Sequence, residues 1–269
     1  MAILNGIVRF SGQLGDLVFY QRGKKNVVRQ KTTNHQLSEN SKKSGRDFGE
    51  VSRNAAYIRK AFATLVRLYA HGDLLNRLNK RVHEIFRTVS PELSGRKKMI
   101  DGNISLLQGF EFNAATSLST LLFISPTAKL DSDGSLLLTL PKVEMKKFVR
   151  TETRSDTVIL QVMVFNYGLI DGDYELFHIN DMKFDLNMDL FPGAQLTVKT
   201  DQVGEKALLI AVGISYCLGN TRSGDRRYFA CKITHAWHLD NGIEIKFIAQ
   251  QPKEIKEETA QGGLSWTLG

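Results

Sequence analysis

The sequence predicts an α+β fold in which an N-terminal β-hairpin and a two-helix arm precede an antiparallel β-sandwich of immunoglobulin-like form. Two different spacings of apolar residues predict this order. Apolar residues recur every seven positions between residues 46 and 89, as they do along one side of a helix. Beyond about residue 110 they recur every second position, which is typical of strands with one buried face.

We divide the chain into four segments on this basis. Residues 1–44 form a β-hairpin arm and a polar connector, and residues 45–100 form a basic amphipathic helical pair. Residues 110–250 form the β-sandwich domain, and residues 251–269 form a C-terminal tail.

The first segment contains short runs of β-branched and aromatic residues separated by glycine turns. Strands are predicted at Ile7 to Phe10, Leu17 to Gln21 and Asn26 to Lys31, with a basic turn around Gly23. Because so small a sheet is marginal alone in water, we expect it to lie against the helices or a neighbouring subunit.

The helical segment has a narrow apolar seam that is interrupted at His71-Gly72-Asp73, where glycine can end one helix and aspartate can cap the next. A narrow seam is typical of helices that associate, so we expect contacts in an oligomer to cover it. Trp266 of the tail is also a predicted oligomer contact. The seam residues are Phe48, Val51, Ala55, Ile58, Phe62, Leu65 and Tyr69, followed by Leu75, Leu78, Val82, Ile85 and Val89.

The opposite side of the same helices carries basic residues, also seven apart. Such a row can follow a phosphate backbone, although any solvated helix surface can show the same spacing. The predicted anion or nucleic-acid contacts are Arg46, Arg53, Lys60, Arg67, Lys80 and Arg87, helped by Lys24, Lys25 and Lys97.

The β-rich segment shows alternation at Met182 to Met188 and at Phe229 to Trp237, and again at Ile243 to Phe247. The nearly continuous apolar runs Thr157 to Phe165 and Ala207 to Cys217 predict central strands that are covered on both faces. Asp-Gly and Asn-Gly pairs at residues 133–134 and 241–242 predict hairpin turns.

The charge is distributed unevenly along the 269 residues, whose formal net charge is +8. Residues 1–100 contain 20 basic and 7 acidic side chains, against 16 and 21 in the remainder. This asymmetry favours a nucleic acid, an anionic surface or the acidic part of a second copy as partner.

No catalytic constellation is evident in the sequence. It contains neither the Gly-x-Ser-x-Gly elbow nor a phosphate-cradling Gly-x-x-x-x-Gly-Lys-Ser/Thr motif. A weak calcium site near Asp171 to Asp189 is conceivable, but alternation with apolar residues favours a solvated strand face. We therefore expect no enzymatic activity, no metal, no cofactor and no small-molecule substrate.

The sequence shows neither a secretory signal nor a run of about 20 apolar residues that could span a bilayer. We expect a cytoplasmic protein, with release in an assembled particle left open. Cys217 and Cys231 both lie in predicted strands, where we expect reduced, buried side chains.

The N-terminal pattern Gly12-x-x-Gly15-x-Leu17-Val18-x-Tyr20, then Gly23-Lys24 and Val28-Arg29, resembles the start of an uncharacterised family of Bacteroidetes proteins. The resemblance covers about the first 70 residues, and only the general layout afterwards. It departs at Thr33 to Leu37, where the family has a glutamine-rich run containing proline. The resemblance implies a β segment, a helical middle and an immunoglobulin-like half, and it implies an accessory or structural role.

Two functions follow from these features. In the first, the hairpin and helices are contact elements through which the protein assembles with itself into an oligomer or filament. In the second, the basic helical face makes it a sequence-independent nucleic-acid-binding accessory protein.

Overall fold

The computed structural model describes residues 2–4, 11–31, 36–131, 133–151, 154–178 and 181–248. The chain divides into two compact units, residues 1–42 and residues 43–269. This division lies close to the predicted boundary at residue 44, whereas the helices and the β-rich half fall within a single unit.

The first unit is a four-stranded antiparallel sheet with the strand order β1-β4-β3-β2. The predicted hairpin is present as β3 and β4, with Gly23 at φ +61° in the turn between them. Among the side chains of β2 to β4, only that of Val27 is buried. The strand predicted at residues 7–10 lies outside the described residues. The strands are β1 (Ala2–Leu4), β2 (Gly12–Leu14), β3 (Leu17–Arg22) and β4 (Lys25–Gln30).

Three helices follow: α1 (Glu39–Ala61), α2 (Ala63–Tyr69) and α3 (Leu74–Thr88). The predicted break is confirmed, since Gly72 has φ +76° and the Asp73 carboxylate accepts a hydrogen bond from Asn76 N. Across the described residues, no helix is long and apolar enough to cross a bilayer.

The helical chain turns back on itself after this break. The Asp47 carboxylate near the start of α1 accepts hydrogen bonds from Gly95 N at 3.0 Å and Lys97 N at 3.3 Å, just beyond the end of α3. The helices therefore form an antiparallel pair rather than one rod.

The largest sheet contains seven antiparallel strands, and its centre is formed by the three long strands β8, β13 and β15 in that order. The predicted central strands are confirmed as β8 and β13, which pair over twelve residues of each strand. Asn241 and Gly242, with φ of +46° and +83°, form the predicted turn to the edge strand. The strands are β8 (Thr157–Gly168), β9 (Tyr174–His178), β10 (Met182–Asp185), β13 (Glu205–Leu218), β14 (Thr221–Arg222), β15 (Phe229–Asp240) and β16 (Ile243–Glu244).

A smaller sheet with the order β12-β6-β5 packs against one face of the large sheet. A two-stranded ladder and a short helix, α4 (Met145–Phe148), complete this side. The strands are β5 (Thr127–Leu130), β6 (Ser135–Leu140), β7 (Val143–Glu144), β11 (Leu190–Phe191) and β12 (Ala194–Lys199).

Alternate residues of the long strands enter two different cores. Val162 and Val164 of β8 pack with the small sheet, whereas Met163 and Phe165 pack with α1, α2 and α3. The α+β class and the packing of two sheets are therefore confirmed. The helices add a third layer over the larger sheet.

The expectation that the helical seam needs an outside partner is wrong for its central residues. Their side chains are enclosed by the large sheet of the same chain, because residues distant in sequence complete the core. Phe48 is 60% exposed, and Trp266 lies outside the described residues. The five predicted oligomer contacts that are at most 1% exposed are Val51, Ile58, Phe62, Leu65 and Tyr69.

The helices consequently do not form a separate arm or domain. Phe62 lies between α1 and α2. Its ring contacts that of Phe165 of β8 edge to face, with ring centroids 5.9 Å apart. Helices and sheet share one hydrophobic core, so a boundary between residues 100 and 110 does not separate two cores.

Both cysteines are free and buried, each on the large sheet. In the ladder, Cys231 lies opposite Gly213, four residues along β13 from Cys217. At about 3.3 Å per residue this offset puts the two Cα atoms beyond the reach of a disulfide.

Candidate polyanion-binding face

The predicted basic row lies on the solvent side of the helical layer. We call this set of side chains the basic face. All of its members are exposed: Arg46, Arg53 and Lys60 of α1, Arg67 of α2, and Lys80 and Arg87 of α3. Successive members on α1 are seven residues apart, which corresponds to a rise of roughly 10 Å along the helix axis.

The acidic side chains of the helices are occupied by local contacts. Asp47 holds the loop after α3, and Asp73 caps the N-terminus of α3. Glu50 pairs with Arg53, and Glu84 pairs with Arg81 at 3.3 Å. Of these four carboxylates, only that of Glu50 is paired with a member of the basic face.

Most members of the basic face are without ion pairs. Within the described parts of the chain, Arg53 is the only member of the six that forms a salt bridge. Its side chain is 74% exposed, and surface pairs of this kind contribute about 0–1 kcal/mol. A phosphate group can therefore displace Glu50 at small cost.

The two ends of the basic face are brought together by the Asp47 contacts. Arg46 precedes Asp47, and Arg87 lies within the last turn of α3, next to the carbonyls bound by Lys97. The basic residues of α1 and α3 therefore converge at the loop of residues 95–97.

Lys97 has a structural role that its sequence context does not reveal. Its Nζ donates to the carbonyl oxygens of Phe86 at 2.9 Å and Val89 at 3.1 Å, so it caps the C-terminal end of α3. It is therefore unavailable as the predicted helper of the basic face. Lys24 and Lys25 are exposed on the hairpin of the first unit.

Arg77 is also a basic residue of α3 that turns inward. Its guanidinium donates to the carbonyl oxygens of Glu111, Phe112 and His71 at 2.6, 2.8 and 3.1 Å. It also lies over the ring of Phe110 at 5.5 Å. Burial lowers the pKa of Arg77, while the charges of Asp73 and Glu111 oppose that shift.

An aromatic cluster, not anticipated from the sequence, lies beside α1. Tyr57 has its ring centroid 4.8 Å from that of Tyr167 on β8 and 5.7 Å from that of Tyr174 on β9. Tyr167 and Tyr174 are direct partners across the β8–β9 ladder. The spacing of Tyr57 from Arg53 and Lys60 was visible in the sequence, but the strand register that completes the cluster was not.

An open cleft of about 740 Å³ lies beside the connection from β13 to β15 and includes Arg222 and Arg227. Both guanidiniums are occupied: Arg222 pairs with Asp181 at 2.9 Å, and Arg227 pairs with Asp225 at 2.7 Å. Arg222 also approaches Gln161, which accepts a hydrogen bond from the Tyr69 hydroxyl at 2.6 Å. This network fixes α2 against the sheet.

The carboxylates and histidines of the described residues form no group of three that could hold a metal ion. Asp173 and Asp181, considered for calcium, pair with Lys206 and Arg222 instead. His238 contacts Glu205 at 3.1 Å. The two aspartates therefore serve in structural ion pairs, and His238 serves in a hydrogen bond.

No protein-family model, curated protein or solved structure matches the chain.

Proposed function

We propose that the chain is a non-enzymatic accessory protein that binds nucleic acid through the basic face, without reading base sequence. The observation that carries the proposal is the set of six exposed cations, of which Arg53 alone forms an ion pair within the described residues. Cations that neutralise phosphates release counterions, and this provides affinity without contacts to base edges.

The dependence of affinity on salt tests this proposal. If all six cations contact phosphates, a plot of log K against log salt has a slope of about −5 for duplex DNA and about −4 for a single strand. Fluorescence anisotropy with labelled oligonucleotides between about 50 and 300 mM salt, a range of about one-third to twice physiological ionic strength, measures this slope.

A triple variant locates the contacts. Arg53→Gln, Lys60→Gln and Arg67→Gln together remove three charges, so we expect the slope to become less negative by about 2 to 3. The matched control removes three exposed charges from the small-sheet side, as Lys129→Gln, Lys142→Gln and Lys199→Gln. Equal effects of the two triples, or a wild-type protein that fails to bind any nucleic acid, would refute the proposal.

Self-association is a second candidate function. The helical seam cannot mediate it, because the central residues of the seam are buried within the same chain. It is favoured by the first unit, where Leu14 is 73% and Leu17 is 43% exposed in a sheet with little buried surface. Association depends on protein concentration by mass action. Sedimentation velocity over roughly a hundredfold range of protein concentration therefore tests for assembly. Leu14→Ser and Leu17→Ser should weaken an assembly of this type, and a wild-type protein that stays monomeric throughout refutes it.

The accessory role agrees with the resemblance to the uncharacterised Bacteroidetes family, and we include membership of that family in the proposal. A cytoplasmic location is likewise proposed. A nucleic-acid ligand is compatible with that location, because nucleic acid is abundant there.

A further inference from the structure

We infer that the nucleic acid is single-stranded and that its unpaired bases stack on the aromatic cluster of Tyr57, Tyr167 and Tyr174 while its phosphates contact the basic face. The inference rests on the proposed function and deepens it, because it names the form of nucleic acid that the surface accepts. It also assigns a role to a group of partly exposed aromatic side chains that borders the basic face.

The cluster and the basic face are adjacent on the same helix. Tyr57 follows Arg53 by four residues and precedes Lys60 by three, and side chains at these spacings are neighbours on a helix surface. Burial, Tyr57 and the charge of Glu50 raise the pKa of Tyr167, whereas the charge of Arg53 lowers it. Tyr167 therefore lies within the electrostatic reach of α1.

The ring of Tyr174 is open to a ligand, whereas Tyr57 and Tyr167 are half-buried and hold the cluster in place. Tyr174 is 59% exposed, and Leu176, two residues along β9, is 40% exposed. The Tyr57 hydroxyl donates to the carbonyl oxygen of Gly172 at 3.0 Å, and its ring meets that of Tyr174 at 89°. A rigid tyrosine offers a large contact area and loses little conformational freedom on binding.

Asp173 is an acidic neighbour of the cluster. Burial, Tyr174 and the charge of Asp173 raise the pKa of Tyr57, so the Asp173 carboxylate acts on the ring. The same carboxylate is 3.2 Å from Lys206 Nζ, which also pairs with Asp201. Asp173 is therefore paired, and it shares the single charge of Lys206 with Asp201.

Stacking selects for a single strand. In a duplex the faces of the bases are occupied by neighbouring base pairs, whereas unpaired bases can be turned onto aromatic side chains. A positively charged surface next to aromatic rings is the arrangement that single-strand-binding proteins share, and it tolerates any sequence because every base has a flat face.

The test compares three probes of equal length: a thymidine oligonucleotide, an abasic deoxyribose phosphate chain and a duplex. Tyr174→Ala should weaken binding of the oligonucleotide about fivefold to 150-fold and leave binding of the abasic chain unchanged. Tyr174→Phe should retain the affinity, because stacking needs the ring and not the hydroxyl. Phe123→Ala is the matched control, since Phe123 is 51% exposed and joins the small-sheet side through its hydrogen bond to Phe148.

Each outcome decides one of the two proposals. A protein that binds the abasic chain and the duplex as tightly as the oligonucleotide, with no effect of Tyr174→Ala, overturns the stacking inference and leaves phosphate binding intact. A protein that binds none of the three probes overturns the proposed function itself. Loss of oligonucleotide affinity in Tyr174→Ala but not in Phe123→Ala, with Tyr174→Phe unaffected, supports the inference.

Discussion

The inner and outer sides of the helical layer carry the same seven-residue spacing and have opposite environments. On the inner side, Phe62 and Leu65 are fully buried against the large sheet. On the outer side, Lys60 and Arg67 remain in solvent. Periodicity therefore identifies a face of a helix, whereas residues elsewhere in the chain decide whether that face is core or surface.

The largest expected effect comes from removing an inner aromatic ring. Phe62→Ala should lower the free energy of unfolding by about 3–5 kcal/mol, because it deletes edge-to-face contacts with Phe112 and Phe165 and leaves a cavity. Urea unfolding followed by circular dichroism measures the change.

Phe48 provides the control for this prediction, because it belongs to the same seven-residue series but is 60% exposed. Phe48→Ala should change the free energy of unfolding by no more than about 0.5 kcal/mol. Similar losses in the two variants would contradict the distinction between the enclosed seam and its exposed end.

The second prediction concerns the closeness of helix and sheet. A Cβ atom at Gly213 would lie 2.6 Å from Cε2 of Tyr69, whose hydroxyl is held by Gln161. Gly213→Ala should therefore cost about 1–3 kcal/mol of stability by overpacking, as measured by urea unfolding.

Gly45 makes a matched control because it lies within α1, where an added Cβ would meet nothing within 4 Å. Gly45→Ala should stabilise the protein by about 0.5–1 kcal/mol, since alanine favours the helix. If Gly213→Ala were equally harmless, Tyr69 would not be packed against the sheet as described.

The smallest expected effect on stability comes from the outer side. Each of Arg53→Gln, Lys60→Gln and Arg67→Gln should change the free energy of unfolding by at most about 0.5 kcal/mol, since these side chains are exposed. Thermal unfolding measures the change. A loss above about 1 kcal/mol for any one of them would mean that its charge supports the fold, contrary to its exposure.

Local features of the fold were predictable from the sequence because short-range chemistry determines them. The helix break at Gly72 and Asp73 and the hairpin turn at Asn241 and Gly242 follow from backbone conformations that these residues favour. The long apolar runs of β8 and β13 likewise predicted strands covered on both faces.

The environment of the seam was not predictable, because its partners, such as Phe112 and Phe165, are distant from it in sequence. Phe165 meets Phe62 only after the sheet has formed. In the second half of the seam, the residues that are buried as predicted are Leu78, Val82, Ile85 and Val89. The prediction is wrong only for Leu75, which is 47% exposed, and Leu74 is buried in its stead.

The candidate site was predictable only where local helix spacing determines it. The exposure of the basic face followed from helix periodicity alone. The inward turn of Arg77 and the capping by Lys97 depend on carbonyl groups that only the folded chain brings within reach. The aromatic cluster depends on the pairing of Tyr167 with Tyr174, which a sequence does not specify.

The attachment of Asp47 to the loop of residues 95–97 has a kinetic consequence. Because this contact fixes the two helices before any ligand arrives, encounter with a polyanion does not wait for a conformational step. We expect association rate constants of about 10⁸ M⁻¹ s⁻¹ at low ionic strength, falling steeply as salt is added. Stopped-flow mixing of wild type and Asp47→Asn would show whether a looser helix pair captures its ligand more slowly.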